Sequence, residues 1–298
     1  FLKNMISMNK KILVFGAGGL LGTLLVKKLE KKYSVIGTTK NVGGEIKNKC
    51  DITKKEEISQ IIQKVNPGII IHLAGITGNV ECEQNPHKTI KTNIMGTYYI
   101  LDAIKNKKIK LIFASSREVY GFSKKEVNEN SPLQPINLNG ISKMFSENLI
   151  MNFHLQHKIA YNILRFTNFY GEHNEKRGIS KMFKNSLLGK KIIIYGGNQS
   201  LDLIHFDDAV NAIMKSIESK KDGVFNIGFG KSVKLLSLIK ILEKISKTKI
   251  KFEIEKSRNI EVQKFTIDVS KAKKELCFEA KISPKMGIKK MVEKWKKN

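Results

Sequence analysis

The stretch Gly16-Ala-Gly18-Gly19-Leu-Leu-Gly22 is the first place where residue type and spacing point to chemistry. It follows the apolar, β-prone residues 11–15, and beyond it Leu20, Leu21, Leu24, Leu25 and Leu29 recur at helical spacing. Gly16, Gly19 and Gly22, set between a strand and a helix, let the backbone approach a pyrophosphate. Its charge then rests on the N–H groups and dipole at the helix start. The competing reading, a tight turn whose glycines serve only helix packing, is weakened by the motif's place at the head of a strand–helix series. Such a turn takes a nicotinamide dinucleotide. Proteins that bind NAD usually end the second strand with an acid for the ribose hydroxyls, but here that stretch is Thr38-Thr39-Lys40-Asn41. With no carboxylate to repel a 2′-phosphate and Lys40 close by, NADP is favoured over NAD. Asp51 could hydrogen-bond the adenine or serve as an N-terminal acid for the next helix.

The elements that must carry this turn alternate. Strands are expected at 33–38, 68–73, 110–115 and 159–166, with helices over 56–65, 86–106 and 141–157. Alternation of this kind means βαβ units and a parallel sheet covered on both faces. Strand-like pieces at 191–195, 223–227 and 250–254 then mix with helices near 207–219, 232–246 and 270–276. The expected fold class is α/β: a Rossmann-like doubly wound parallel sheet over 8–170, and a smaller mixed α/β substrate domain over 171–298. Some segments of the second part are expected to return to the sheet.

Composition narrows the partners. The 298 residues carry a net charge of +27, yet only four of the 54 basic residues are arginines, Arg117, Arg165, Arg177 and Arg258. A surface built to grip nucleic-acid phosphates would use the guanidinium fork more freely, so the charge reads as lysine-rich composition and no nucleic-acid partner is expected. Cys50, Cys82 and Cys277 are odd in number and show no metal-ligand spacing, which fits a reduced cytoplasmic compartment. Phe1 is no initiator, so Met8 reads as the start. Lysines before the apolar residues 12–26 imitate a signal peptide, but that run holds motif glycines and no cleavage site. No run reaches membrane-spanning length, so no membrane association is expected.

With the glycine turn, His72-Leu-Ala-Gly75, Asn93, Ser115-Ser-Arg-Glu-Val-Tyr-Gly121 and Gly140-Ile-Ser-Lys143 in order, the chain resembles the extended short-chain dehydrogenase/reductases that act on sugar nucleotides. The likeness continues through Arg165-Phe-Thr-Asn-Phe-Tyr-Gly171, the later hairpin-like 192–196 with 202–208, Asn226-Ile-Gly-Phe-Gly230, and Arg258 before Asp268-Val-Ser-Lys271. It implies epimerase, 4,6-dehydratase or 4-keto reductase chemistry, in which a nicotinamide moves a hydride at a sugar carbon, with surface-polysaccharide biosynthesis as the setting. It also extends the cofactor contacts to Leu20, Ile52, Leu73, Ala74, Gly75, Asn93 and Lys143.

The family's active site is a Ser or Thr, with a Tyr and a Lys spaced YxxxK on one helix. Four residues apart puts both side chains on one face. The lysine ammonium favours the phenolate, which takes the sugar hydroxyl proton. Ser116 and Lys143 match, but the tyrosine position holds Asn139, whose amide cannot act as a base. Three readings follow. Chemistry persists through another proton carrier, with Glu118 the candidate by resemblance to the dehydratases. Alternatively, the protein binds cofactor and sugar nucleotide with little turnover. The last is that this sequence carries a change at 139. Glu118 could instead only pair with Arg117, and Tyr120 could pack beneath the substrate.

On the substrate side, Asn168 resembles the asparagine that contacts the nucleotide diphosphate, Arg258 the arginine that clamps it, and Ser116 and Arg117 complete the set. A further family arginine is replaced by Leu201; Lys190, Lys191 or Lys231 could compensate, against the competing reading that each is a solvated surface lysine. His205 is expected to support the start of the helix at Asp207-Asp208, and no metal site is expected. The helices at 86–106 and 141–157 correspond to those that form the family's homodimer interface.

Overall fold

The computed structural model describes residues 11–296 except 44, 45, 47, 124, 176 and 261–264, so Met8 as a start lies outside the described residues. The first half runs β1 (Ile12–Phe15), α1 (Leu20–Leu29), β2 (Val35–Thr39), β3 (Asn48–Lys49), α2 (Lys55–Val65), β4 (Ile69–His72), α3 (Asn79–Gln84) and α4 (Pro86–Thr89). A wide π-helical turn (Ile90–Met95) leads into α5 (Gly96–Ile104), β5 (Lys110–Ser116), a 3-10 turn (Arg117–Tyr120), α6 (Leu138–His157) and β6 (Tyr161–Phe166). The remainder comprises β7 (Asn168–Tyr170), α7 (Gly178–Leu187), β8 (Ile192–Tyr195), β9 (Ser200–His205), α8 (Phe206–Glu218), β10 (Gly223–Ile227), β11 (Ser232–Lys234), α9 (Leu235–Ser246), β12 (Phe252–Glu255), α10 (Ser270–Glu275) and α11 (Pro284–Trp295).

Seven parallel strands form one sheet in the order β10-β6-β5-β4-β1-β2-β3. This is the doubly wound α/β arrangement, with its reversal of strand order between β1 and β4. Every residue of β1 and β4 is buried, as strands covered on both faces require. Alternate residues serve opposite layers. Ile12 and Val14 join Leu25 and Leu29 of α1 and Ile213 of α8 on one face; Leu13 and Phe15 join Ile58 and Ile62 of α2 and Leu101 of α5 on the other. β10 comes from the second half and pairs with β6, Gly223 opposite Asn162.

Two small sheets, β11-β9-β7 and β12-β8, complete the molecule around a third core of Tyr170, Phe183, Ile192, Leu238 and Ile288. Three local expectations change. Strands β8 and β9 do not form a hairpin: β8 pairs with β12, and β9 lies between β11 and β7. Residues 232–234, expected to open a helix, pair as a strand with 200–202. The single helix expected at 86–106 contains the π-helical turn, within which Asn93 reaches across to the backbone of Ile76. Among the described residues, no helix is long and apolar enough to cross a membrane.

Candidate active site

The crevice at the carboxyl ends of β1 and β4 is where an open α/β sheet binds ligands, and the glycine turn lies there. Gly16 adopts φ +84°, and a Cβ on it would fall 2.5 Å from the Ala74 nitrogen. At Gly22, a Cβ would meet the Gly16 carbonyl oxygen at 2.4 Å. The turn, the start of α1 and the end of β4 therefore close on one another only with glycine at both places. Gly19 caps α1 with no side-chain hydrogen bond, so the helix start offers its N–H groups to an anion such as a dinucleotide pyrophosphate. Leu20 is the first residue of that helix.

Most of the other expected cofactor residues are engaged with the protein. Thr38, 1% exposed, donates to the Val14 carbonyl, and its own carbonyl accepts from Gly16 and Ala17. The Leu73 N–H donates to the Phe15 carbonyl, and Ile52 is buried in the core against Gly96. Asn93 holds Ile76 from both sides, accepting from its N–H at 2.8 Å and donating to its carbonyl at 3.0 Å, and also donates to Ser142 Oγ. It thereby fixes the Gly75–Ile76 bend. Lys40 pairs with Asp51 at 2.8 Å. Burial pushes the Asp51 carboxyl up, but the Lys40 ammonium and hydrogen bonds from Thr53 outweigh it and hold the group at about 2.

Lys143 lies one turn beyond Asn139 on α6. Its Nζ donates to the Ala114 carbonyl at 2.7 Å, sits 4.6 Å from the centroid of Phe113, and lies 3.7 Å from where a Gly75 Cβ would be. Burial pushes this ammonium down to about 8. The neighbouring His72 is fully buried against Phe15 and Phe113, and burial, with the Lys143 charge adding, pushes it down to about 3.

Ser116 ends β5, and its Oγ accepts from the Glu118 N–H, capping the 3-10 turn that carries Arg117 and Glu118. Glu118 is buried and fully engaged. Its Oε1 pairs with Arg117 Nη2 at 2.7 Å, and its Oε2 accepts from Asn137 Nδ2 at 2.7 Å and from Asn79 Nδ2 at 3.4 Å. The pairing weighed against a proton-carrying role is thus present. Arg117 lies 5.0 Å from the Phe265 ring centroid, and its Nη1 is buried without a hydrogen-bond partner. Asn139 donates to Asn79 Oδ1 at 3.2 Å, while its own Oδ1 is buried without a partner.

Two residues that the motifs did not bring forward, Asn79 and Asn137, hold this cluster together. Both also donate to the Ile260 carbonyl, at 3.2 and 3.0 Å. Asn137 carries a sequence signal, an N-cap three residues before Gly140; Asn79 has none. The segment containing Ile260 brings Arg258, whose guanidinium stacks 3.6 Å from the Tyr195 ring centroid. Asn168 stands two residues beyond Phe166, which pairs with Ser116 in the sheet, and its Oδ1 is buried without a partner. Leu201 packs against the third core, and Lys191 pairs with Glu253.

Behind Ser116, a separate buried network serves the fold. Glu147 accepts from Ser115 Oγ and from Arg165, which also donates to the Tyr120 hydroxyl; that hydroxyl donates to Asn226. Tyr120 therefore packs beneath the segment. His205 caps α8 through Nδ1, accepting from the Asp207 N–H, as expected. The fold also brings Glu172 to its Nε2 at 2.9 Å, a grouping that sequence spacing could not show. With both ring nitrogens engaged, the imidazole has no lone pair directed at an ion.

The NAD dependent epimerase/dehydratase family pattern matches residues 12–228. The chain belongs to this family. A Methanocaldococcus jannaschii protein named "Putative UDP-glucose 4-epimerase" is 32% identical to it, over 96% of this chain and 98% of its own. The crystal structure of a Thermotoga maritima UDP-glucose 4-epimerase with UDP-glucose matches with a TM-score of 0.90 and 28% identity, covering 96% of this chain and 99% of that one. A Bacillus cereus UDP-glucuronic acid 4-epimerase in complex with UDP-glucuronic acid and NAD matches at 0.88 and 27%, with the same coverage.

Proposed function

We propose that the chain is a nicotinamide-dependent enzyme acting on a UDP-linked sugar by epimerase-type chemistry, with an active site altered at Asn139. The reading rests on one observation above all: Lys143 reaches the Gly75 bend, at the crevice end where the glycine turn also lies. Support from outside the chain comes from the UDP-sugar complexes of its structural neighbours. A bound nicotinamide would supply hydride acceptance and return at a sugar carbon. Gly16, Gly19 and Gly22 would cradle its pyrophosphate, Lys143 would hold the ribose end, and Ser116 would orient the reacting sugar hydroxyl. Glu118, paired with Arg117, would face the sugar ring, while Asn168 and Arg258 would take the nucleotide diphosphate.

Between the two cofactors, the Lys40–Asp51 pair weighs toward NAD, because the lysine that would welcome a 2′-phosphate is already engaged. Residues 8–170 are read as the cofactor half and 171–298 as mainly the substrate half. The free cysteines support a cytoplasmic setting, and apolar Ile90, Met95, Phe145 and Leu155 on the helical face support a homodimer. A second reading, binding with little turnover, is favoured by the full engagement of Glu118. Incubation of the purified protein and NAD with UDP-glucose or UDP-glucuronic acid, followed by proton NMR of the sugar, separates them. New anomeric signals support the enzyme; tight NAD and UDP binding without change supports the binding protein.

A further inference from the structure

Asn79 and Asn137 lie far apart in sequence, yet their side-chain amides share the same two acceptors. Each Nδ2 uses one hydrogen on Glu118 Oε2 and the other on the Ile260 carbonyl oxygen. Their own carbonyls are also engaged, Asn137 Oδ1 by the Gly140 N–H and Asn79 Oδ1 by Asn139. An amide has two donors and an acceptor oxygen, and here both donors of each amide are in use and each oxygen accepts a hydrogen bond. The carboxylate oxygen and the carbonyl oxygen are both acceptors and cannot bond each other, so the two amides, donating to both, are what join them. Arg258 stands two residues before Ile260.

We propose that Asn79 and Asn137 are positioning residues that join the Glu118 carboxylate to the Arg258 segment, so that diphosphate binding and the placing of Glu118 depend on each other. This rests on the sugar-nucleotide reading above for its functional consequence. Under it, a nucleotide diphosphate that draws on Arg258 also steadies the carboxylate facing the sugar. The coupling runs through Ile260 and needs no direct contact between Arg258 and Glu118. Asn139 belongs to the same assembly through Asn79, which ties the altered position to substrate binding as well as to chemistry.

The test replaces each amide by the isosteric acid. Asn137→Asp keeps the helix cap but loses both donors; Asn79→Asp keeps the acceptor for Asn139. In both, UDP affinity measured by calorimetry is expected to fall about tenfold, the loss of one or two hydrogen bonds to charged or carbonyl acceptors, while NAD affinity holds. Asn79→Gln, which restores a donor, should recover part of the loss. In a double-mutant cycle, Asn79→Asp and Arg258→Ala should be strongly non-additive. Unchanged UDP affinity in both acid variants, or full additivity with Arg258→Ala, overturns the proposal. Should the unaltered protein bind neither NAD nor UDP, the sugar-nucleotide reading fails instead. Amide hydrogen exchange of residues 256–260 in the ligand-free protein then still decides the joining role: faster exchange in both variants supports it, and identical exchange overturns it.

Discussion

The Asn139 amide nitrogen donates to Asn79 Oδ1 at 3.2 Å, and through Asn79 it is linked to the buried Glu118 carboxylate. Asn139 thus has a place in a polar cluster whose other members hold an ion pair, and its unpartnered Oδ1 leaves one acceptor available there.

Asn139→Tyr tests the proposal that the active site is altered at this position. A phenol one turn from Lys143 supplies a proton carrier that the amide lacks, so turnover of a UDP-sugar is expected to rise by about 10²-fold. Conversion followed by NMR measures it. A fall in turnover would mean that the site works through Asn139 itself.

Glu118→Gln should cost both activity and stability. It leaves the buried Arg117 guanidinium without an anion, a loss of about 3 kcal/mol when one partner of a buried pair is removed. Urea denaturation reads that loss. Turnover at saturating nucleotide should fall at least about tenfold. An unchanged rate with reduced stability would confine Glu118 to holding Arg117.

Lys143 gives a pH dependence of known sign. Its folded value of about 8 lies below the ordinary 10.5, so between these values the unfolded chain binds more protons than the folded one. Stability from this group therefore rises as pH increases from 8 to 10.5. Lys143→Met should flatten that rise relative to the unaltered protein in denaturation curves taken across the window. Parallel curves for the two proteins would contradict the burial assigned to this amine.

Asp51→Asn releases Lys40 from its pair. The pair is partly exposed, so the effect is modest: an increase of about fivefold in the ratio of NADP to NAD affinity, corresponding to an exposed ion pair of about 1 kcal/mol. Calorimetry with each dinucleotide measures it. A ratio that stays constant would place the 2′-position away from Lys40.

The apolar helical face predicts association. Phe145 and Leu155 are 51% and 68% exposed on α6, and Phe145→Asp with Leu155→Asp should turn a dimer into a monomer by light scattering while leaving NAD binding intact. A monomeric unaltered protein would remove this interface.

The glycine turn and the strand–helix alternation were legible because their signals are local: Gly22 answers to the backbone of Gly16 and Ala17 a few residues away, and short apolar runs such as 69–71, set between helical patterns, fit strands covered on both faces. His205 was legible as a cap for the same reason. The partners of Glu118 were not, since Asn79 and Ile260 approach it only after the chain has folded. Lys40 and Asp51 each carry a local signal, but their pairing depends on how the chain passes from β2 through β3 to the start of α2. The wide turn at 90–95 was hidden because apolar spacing cannot distinguish one extra residue per turn from a continuous helix.

The place of β10 bears on how the chain is made. During synthesis β6 emerges with one edge bare, and its permanent neighbour, residues 223–227, leaves the ribosome only after α7, β8, β9 and α8 have been translated. Until then Leu164 and Phe166 await the Ile227 and Phe225 that share their core. A nascent chain halted near residue 170 would present an open strand edge to other chains, so the passage between those two strands is the interval in which a chaperone has most to protect.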